Sequence, residues 1–284
     1  MLETERYEEA IALLRFLGKC DSGDNRTNEE WWALLAWLES MRLGDNQETI
    51  SDDQDDLEET ETDLFRQHLR TKTDQDPQYI TQLIEMLQPN VAASRQILAL
   101  NQLAYMEEVA DAKYNITEAL ASWLETGIIS PWVQFKALQV LKIRRFKGEI
   151  GVTKEGMKIM LDIDEVPLRL EQYPEKVGLV LQKLRQVAEI NEPSLVYFAE
   201  EIWEQYLAYI YGTVSYDQLV NGDQASVNAW ASALHSKIGE LMSGDAKETD
   251  IQILYEIPEE SKLLWKQAFQ SLQDFSDQFP ITLK

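Results

Sequence analysis

Residues 130–163 read SPWVQFKALQVLKIRRFKGEIGVTKEGMKIMLDI, and the change of period inside this stretch decides the fold class. From Trp132 to about Arg145 apolar side chains occupy most of a helical circumference, which predicts a central, buried helix. Ser130-Pro131 opens it. Serine is a favoured N-cap, and proline loses nothing at the first helical position, where an N–H would be unpaired anyway. Beyond Gly148 the period falls to two. Residues 149–153 and 157–163 alternate, with Lys154-Glu155-Gly156 between them as a turn. Ile150 and Val152 share one side of the first segment; Met157, Ile159, Leu161 and Ile163 share one side of the second. Two strands cannot stabilise themselves in water, so this hairpin, at about 149–163, must lie against helices.

Outside the hairpin the apolar spacing is helical nearly everywhere. Upstream, stripes run through Tyr7–Leu17, Trp31–Met41, Tyr79–Leu87, Ile97–Ala104 and Ile116–Leu124, and Thr27 with Glu30 reads as a capping box. Downstream, Val177–Val187 is followed by an aromatic helix carrying Tyr197, Phe198, Trp203, Tyr206, Tyr209 and Tyr211. A helix capped by Asp223 keeps Val227, Trp230, Leu234 and Ile238 in line, and a last one runs from about Pro258 through Trp265 to Phe275. The fold class expected is mainly α: a solenoid-like, tetratricopeptide-like array of about ten helices with one inserted hairpin. Between residues 44 and 63 acidic residues crowd together, with Ile50 and Leu57 as the large apolar ones. Such a run repels itself and stays solvated, as a loop or the start of a charged helix. It divides an amino-terminal helical module with its acidic linker, 1–62, from a helical-repeat body, 63–284.

The 284 residues carry 26 Lys and Arg against 50 Asp and Glu, a net charge of −24. That field repels phosphate backbones and anionic lipid, and favours solubility or a basic partner. With 12 Gly and 8 Pro there are too few turn residues for a sandwich or barrel of many strands. The one cysteine, Cys20, forms no internal disulfide, the amino terminus is acidic where a secretory leader would be basic, and no apolar run is long enough to span a bilayer. A cytoplasmic protein is the expectation.

Chemistry-bearing motifs are absent from the sequence pattern. His68 and His235 lie in no nucleophile-and-base arrangement, and His235 reads as a packed or half-exposed structural imidazole. Gly148, Gly151 and Gly156 surround a hairpin and do not precede a helix as a phosphate-cradling loop would. The acidic run lacks the glycine of a calcium loop, and Asp162-Ile163-Asp164-Glu165 is a smaller acidic cluster without ligand spacing. No enzyme activity, cofactor or metal is expected.

Against the acidic background, residues 136–158 carry seven bases and two acids, a net of +5. Arg144, Arg145, Lys147 and Lys154 are therefore candidate partner contacts, with the hairpin as a projecting finger that could grip an acidic peptide, a phosphate or RNA. The competing reading is internal compensation by this chain's own carboxylates and the end of the preceding helix. Trp203 and Tyr206 are the other candidates, since exposed aromatics anchor interfaces, although aromatics at helical spacing more often form core.

Ser130–Leu138, the hairpin Ile150–Gly156, Glu192-Pro193-Ser194-Leu195 and Trp230-Ala231-Ser232-Ala233-Leu234-His235 occur in that order. Together they resemble the carboxy-terminal region of uncharacterised tetratricopeptide-repeat-containing proteins of low-GC Gram-positive bacteria. Tyr7-Glu8-Glu9-Ala10-Ile11 also looks like the second helix of such a repeat, but no full repeat array precedes the matching region. The resemblance implies a cytosolic protein-interaction module with no catalytic motif. The function expected is noncatalytic binding of a protein or peptide; the alternatives are nucleic-acid or phosphate contact through 136–158, and an acidic chaperone or decoy for basic proteins.

Overall fold

The structure, a computed structural model, describes residues 61–76, 78–107, 115–127, 129–154, 156–243 and 248–279. The expected helices at Tyr7–Leu17 and Trp31–Met41, the Thr27 capping box, Cys20 and the acidic run through Glu59 lie outside them. The described residues form two compact units that divide between Ile116 and Thr117.

The first unit contains helices α1 (Glu61–Gln75), α2 (Tyr79–Glu85) and α3 (Ala93–Leu103). Leu69, Ile80, Leu83, Leu87, Leu100 and Leu103 are buried, as their helical spacing requires. Asp76 sets the start of α2, its carboxylate accepting from the Gln78 N–H at 2.9 Å and from Gln82 Nε2 at 3.0 Å. Buried Gln96 closes the α2–α3 turn by donating to the Leu87 and Gln88 carbonyls at 3.1 and 2.9 Å.

Burial, with the nearby Lys72 ammonium adding to it, holds the His68 imidazole down at about 4. An unfolded imidazole titrates near 6.5, so on acidification the unfolded chain takes the proton first. The stability His68 contributes is present above pH 6.5 and is lost as the pH falls toward 4. An NMR titration of the His68 ring is expected to show a midpoint near 4, and His68→Gln to flatten the acid limb of the stability profile. A midpoint near 6.5 would place the ring in water.

The second unit runs through α4 (Ile116–Thr126) and α5 (Pro131–Ile143) to the antiparallel strands β1 (Glu149–Lys154) and β2 (Met157–Asp162). Then come α6 (Glu175–Ala188), α7 (Pro193–Ile210), α8 (Val214–Asn221), α9 (Gln224–Ser243), α10 (Glu248–Leu254) and α11 (Lys262–Gln278). The chain is thus mainly helical, with one two-stranded hairpin among the described residues. No helix among the described residues is long and apolar enough to cross a membrane.

The hairpin register pairs Ile150 with Leu161 and Val152 with Ile159, so the expected apolar faces coincide. Lys154 belongs to β1 and pairs with Met157, and Gly156 just before β2 takes φ 77°. The hairpin seats where α7 gives way to α8. Gly212 there has φ 77°, and a Cβ on it would come within 2.9 Å of both Ile159 Cδ1 and Leu161 Cδ2. Only glycine meets both the left-handed backbone and that close approach.

Helix α5 has the expected boundaries, but two expectations about it change. Ser130 stands at the N-cap position without a side-chain cap bond, its buried Oγ having no partner. And α5 is not the most enclosed helix: Trp132, Lys136, Gln139 and Lys142 leave one side half-buried. That place belongs to α9, where every residue from Ser226 to Ile238 except half-buried Asn228 is buried. Ala229, Ala231, Ser232, Ala233 and Ser236 keep its surface thin, so α6, α7 and α11 can all pack against it. Asp223 caps it as expected, accepting from the Ser226 N–H at 3.0 Å.

Candidate functional site

Four bases of the basic stretch have partners within the chain. Lys142 Nζ donates to the Asp164 and Val166 carbonyls at 2.9 and 2.6 Å, beyond the end of β2. Lys147 Nζ meets Asp164 Oδ1 at 2.5 Å, and Arg144 Nε donates to Thr117 Oγ1 at 2.9 Å. Lys154 is 6% exposed and donates inward to the Tyr209 carbonyl at 3.2 Å, pinning the hairpin tip to α7. Burial holds the Lys136 ammonium below its ordinary range. Arg145 and Lys158 remain exposed. Of the seven bases Lys147 alone is shown paired with a carboxylate, Lys142, Arg144 and Lys154 donate to neutral oxygens, and Lys154, expected as a surface contact, is a buried strut.

Trp203 and Tyr206 are likewise corrected as partner contacts, each being 0% exposed. Their rings stack at 5.5 Å and both lean on Trp230 of α9, at 6.3 and 5.7 Å. Trp203 Nε1 donates to the Val177 carbonyl at 3.2 Å, and Tyr206 donates to Ser271 Oγ at 2.7 Å. They tie α7 to α6, α9 and α11 from within.

The histidine that the sequence reads as structural proves to be a junction. His235 of α9 is 2% exposed; its Nδ1 lies 3.0 Å from the Tyr255 hydroxyl and its Nε2 3.4 Å from Glu192 Oε1. Burial lowers the imidazole's pKa, and the Glu192 charge and hydrogen bond pull the other way. A carboxylate only accepts, so Nε2 carries the proton and Nδ1 accepts from the phenol. Tyr255 in turn is held protonated, well above its ordinary range, by burial and by Glu192. One chain of donors thereby joins the turn before α7, the middle of α9 and the end of α10. Its phenol end is 0% exposed, so as folded it fastens backbone segments and meets no solvent-borne molecule.

Exposed apolar side chains stand close in sequence to both partners of this junction. Ile190, two residues before Glu192, is 93% exposed, and Tyr197 on the first turns of α7 is 65% exposed. Ile253 and Leu254, directly before Tyr255, are 71% and 53% exposed. Glu189, Glu192, Glu201 and Glu256, on the same segments, are all exposed. Isolated exposed apolar residues are ordinary, but several on neighbouring segments with charged flanks have the character of an interaction surface.

Sequence reasoning missed Ile253 and Leu254 because it missed α10. That helix ends without glycine: Glu256 takes φ 54°, while the Glu256 and Ile257 N–H groups reach the Ile253 and Gln252 carbonyls, each at 3.0 Å. This is the crossed pairing that ordinarily recruits glycine at the first residue past the helix. The signal available was the apolar run Ile251, Ile253, Leu254 and Tyr255 before Pro258. The chain matches no protein-family model, no curated protein and no solved structure.

Proposed function

We propose that this chain is a noncatalytic helical-repeat protein that binds another protein or peptide. The partner segment is apolar with Lys or Arg flanks, and it docks on the end of the second unit around Ile190, Tyr197, Ile253 and Leu254. The observation that carries this reading is the exposure of those four side chains on segments fastened together by His235. Removing such side chains from water supplies binding energy, while the surrounding glutamates and the overall charge of −24 select a basic segment and speed its encounter. Consecutive helices with short connections, as in α6 and α7 joined through residues 189–192, support the repeat reading.

The test uses the full chain and a fluorescently labelled amphipathic peptide with leucines at helical spacing and lysine flanks. Saturable binding is expected, weakened about tenfold or more by Ile190→Asp combined with Leu254→Asp, with an unchanged circular dichroism melt. The same peptide with glutamate in place of lysine is expected not to bind. Equal binding by the double variant would overturn the assignment of the surface. So would preferential binding of single-stranded RNA that is abolished by reversing Arg144, Arg145 and Lys147 to glutamate, which would restore the basic-patch alternative.

A further inference from the structure

The hairpin has two outer edges, and they differ. The Ile163 N–H donates to the Gly148 carbonyl at 3.1 Å, which fixes the alternation along the ladder. Even-numbered residues of β1 and odd-numbered residues of β2 turn their N–H and C=O groups toward each other; the rest turn theirs outward. On the outer edge of β1 the Thr153 carbonyl accepts from Gln134 Nε2 of α5 at 3.2 Å, so a helix meets that side. On the outer edge of β2 the N–H groups of Lys158, Met160 and Asp162 and the carbonyls of Lys158 and Met160 have no partner among the described residues. All three residues are exposed, Met160 at 56%.

The side chains alternate with the backbone. Lys158 and Met160 lie over Gly151 on the outer face, where a Cβ on that glycine would come within 3.3 Å of Met160 Sδ and closer still to Lys158 Cε. Ile159 and Leu161 lie on the other face, against Gly212, and are half-buried. Edge strands are ordinarily blunted by proline, by a bulge or by an unmatched lysine. β2 has no proline, and its pairing with β1 runs unbroken from Met157 to Asp162. It does carry a lysine, but the lysine's match stands four residues further along the same strand, in Asp162.

We propose that β2 is a dimerisation edge: two copies of this chain pair antiparallel about a twofold axis at Met160 and join their hairpins into one four-stranded sheet. The register follows from parity and charge. Residues that exchange hydrogen bonds across the new seam must both turn their N–H groups outward, so Lys158, Met160 and Asp162 pair only among themselves. Centring on Met160 gives each of them a partner, with Lys158 opposite Asp162 of the second copy at both ends and Met160 opposite itself. Centring on Ile159 or Leu161 instead leaves one charged residue unpaired and sets the other against Met160. On the inner face the Met160-centred register places Ile159 opposite Leu161 of the second copy, which adds apolar contact. A second copy thus supplies a lysine and an aspartate in the order this edge requires, and that selects it over an arbitrary strand. The edge shares no residue with the docking surface around Ile190 and Leu254, and neither assignment depends on the other.

Sedimentation velocity of the full chain tests it, at about 0.15 M salt, where the net charge of −24 on each copy is screened beyond about 8 Å. A reversible monomer–dimer equilibrium is expected with its midpoint at about 10–300 μM, because a strand of 6 residues buries less than a standard stable interface. Met160→Pro removes the N–H at the twofold, at an outward position where an edge strand tolerates proline, so it is expected to abolish the dimer and leave the circular dichroism melt unchanged. Lys158→Asp sets carboxylates opposite each other and Asp162→Lys sets ammonium groups opposite each other; each is expected to weaken the dimer about tenfold or more. Asp162 Oδ1 also accepts from the Asp164 N–H at 2.9 Å, so the two charge variants are compared as folded proteins and then mixed. Mixing is expected to restore dimerisation, since each supplies the charge that the other has lost. A chain that stays monomeric at about 500 μM overturns the pairing. So does a dimer that survives Met160→Pro, or a pair of folded charge variants that do not recover each other. A monomeric chain that binds a labelled peptide of alternating valine and threonine, and loses it in Met160→Pro, would give the edge to another protein's strand and overturn the second copy as its occupant.

Discussion

Trp203→Ala is expected to lower the stability of the second unit by about 3–5 kcal/mol, among the largest effects any single truncation should have in this chain. The indole is fully enclosed, stacked on Tyr206 and leaning on Trp230, and its Nε1 holds the Val177 carbonyl. Both neighbours are rigid rings with positions of their own to keep. Tyr206 is bound through Ser271, and Trp230 sits on the most enclosed helix, so neither can slide into the space left. The full cavity penalty therefore adds to the lost transfer energy. Thermal melting followed by circular dichroism should show a midpoint lower by about 10 °C. Trp203→Phe should retain the stacking and lose less than half as much. A loss below 1 kcal/mol for the alanine variant would mean that the four-helix junction around α7 is not packed as described.

The sequence made the hairpin legible because two signals agreed there: a period of two on each strand, and a glycine where a left-handed residue is needed. Helix existence was legible for the same kind of reason, through stripes such as Val177, Leu181 and Leu184. Which helix is central was not. The circumference of α5 is built from large apolar residues and so reads as buried, whereas α9 owes its enclosure to Ala229, Ala231, Ser232 and Ala233. Small residues score weakly on any apolar count, yet their size is what lets three helices approach at once. Charge was misleading in a similar way. A run of bases along the chain states how many cations are present and not where their partners lie, and here several of those partners are backbone carbonyls.

The contacts that join distant segments of the chain were beyond a linear reading for a topological reason. The packed rings of Phe135, Tyr173, Tyr211 and Tyr216 come from α5, the approach to α6, the end of α7 and α8 in turn, and each taken singly sits in an ordinary amphipathic pattern. The His235 junction likewise joins positions 43 and 20 residues away on either side, Glu192 and Tyr255. Each of the three residues alone is unremarkable. This long-range placement is set by how the thin surface of α9 admits its neighbours.

His235→Leu is expected to cost about 2–4 kcal/mol, and the way that cost is shared with Tyr255 tests the junction directly. Leucine fills most of the imidazole's volume but leaves the Tyr255 hydroxyl, in a fully enclosed residue, without the acceptor it has now. An unpaired buried hydroxyl costs about 1–3 kcal/mol, and the loss of the Glu192 contact adds to it. Tyr255→Phe alone strands Nδ1 of the imidazole instead, at about 1–2 kcal/mol. In the double variant neither polar atom remains, so it should be more stable than the two single losses would give when added, by about 0.5–3 kcal/mol. Because burial lowers the folded imidazole's pKa, the wild-type junction should also weaken as the pH falls below about 6.5. The His235→Leu variant should lack that part of the acid sensitivity. Denaturant melts of the four proteins at pH 7.5 and 5.5 measure both effects. Additive losses at pH 7.5 would break the link between the two residues, and with it the fastening of the end of α10 to α9.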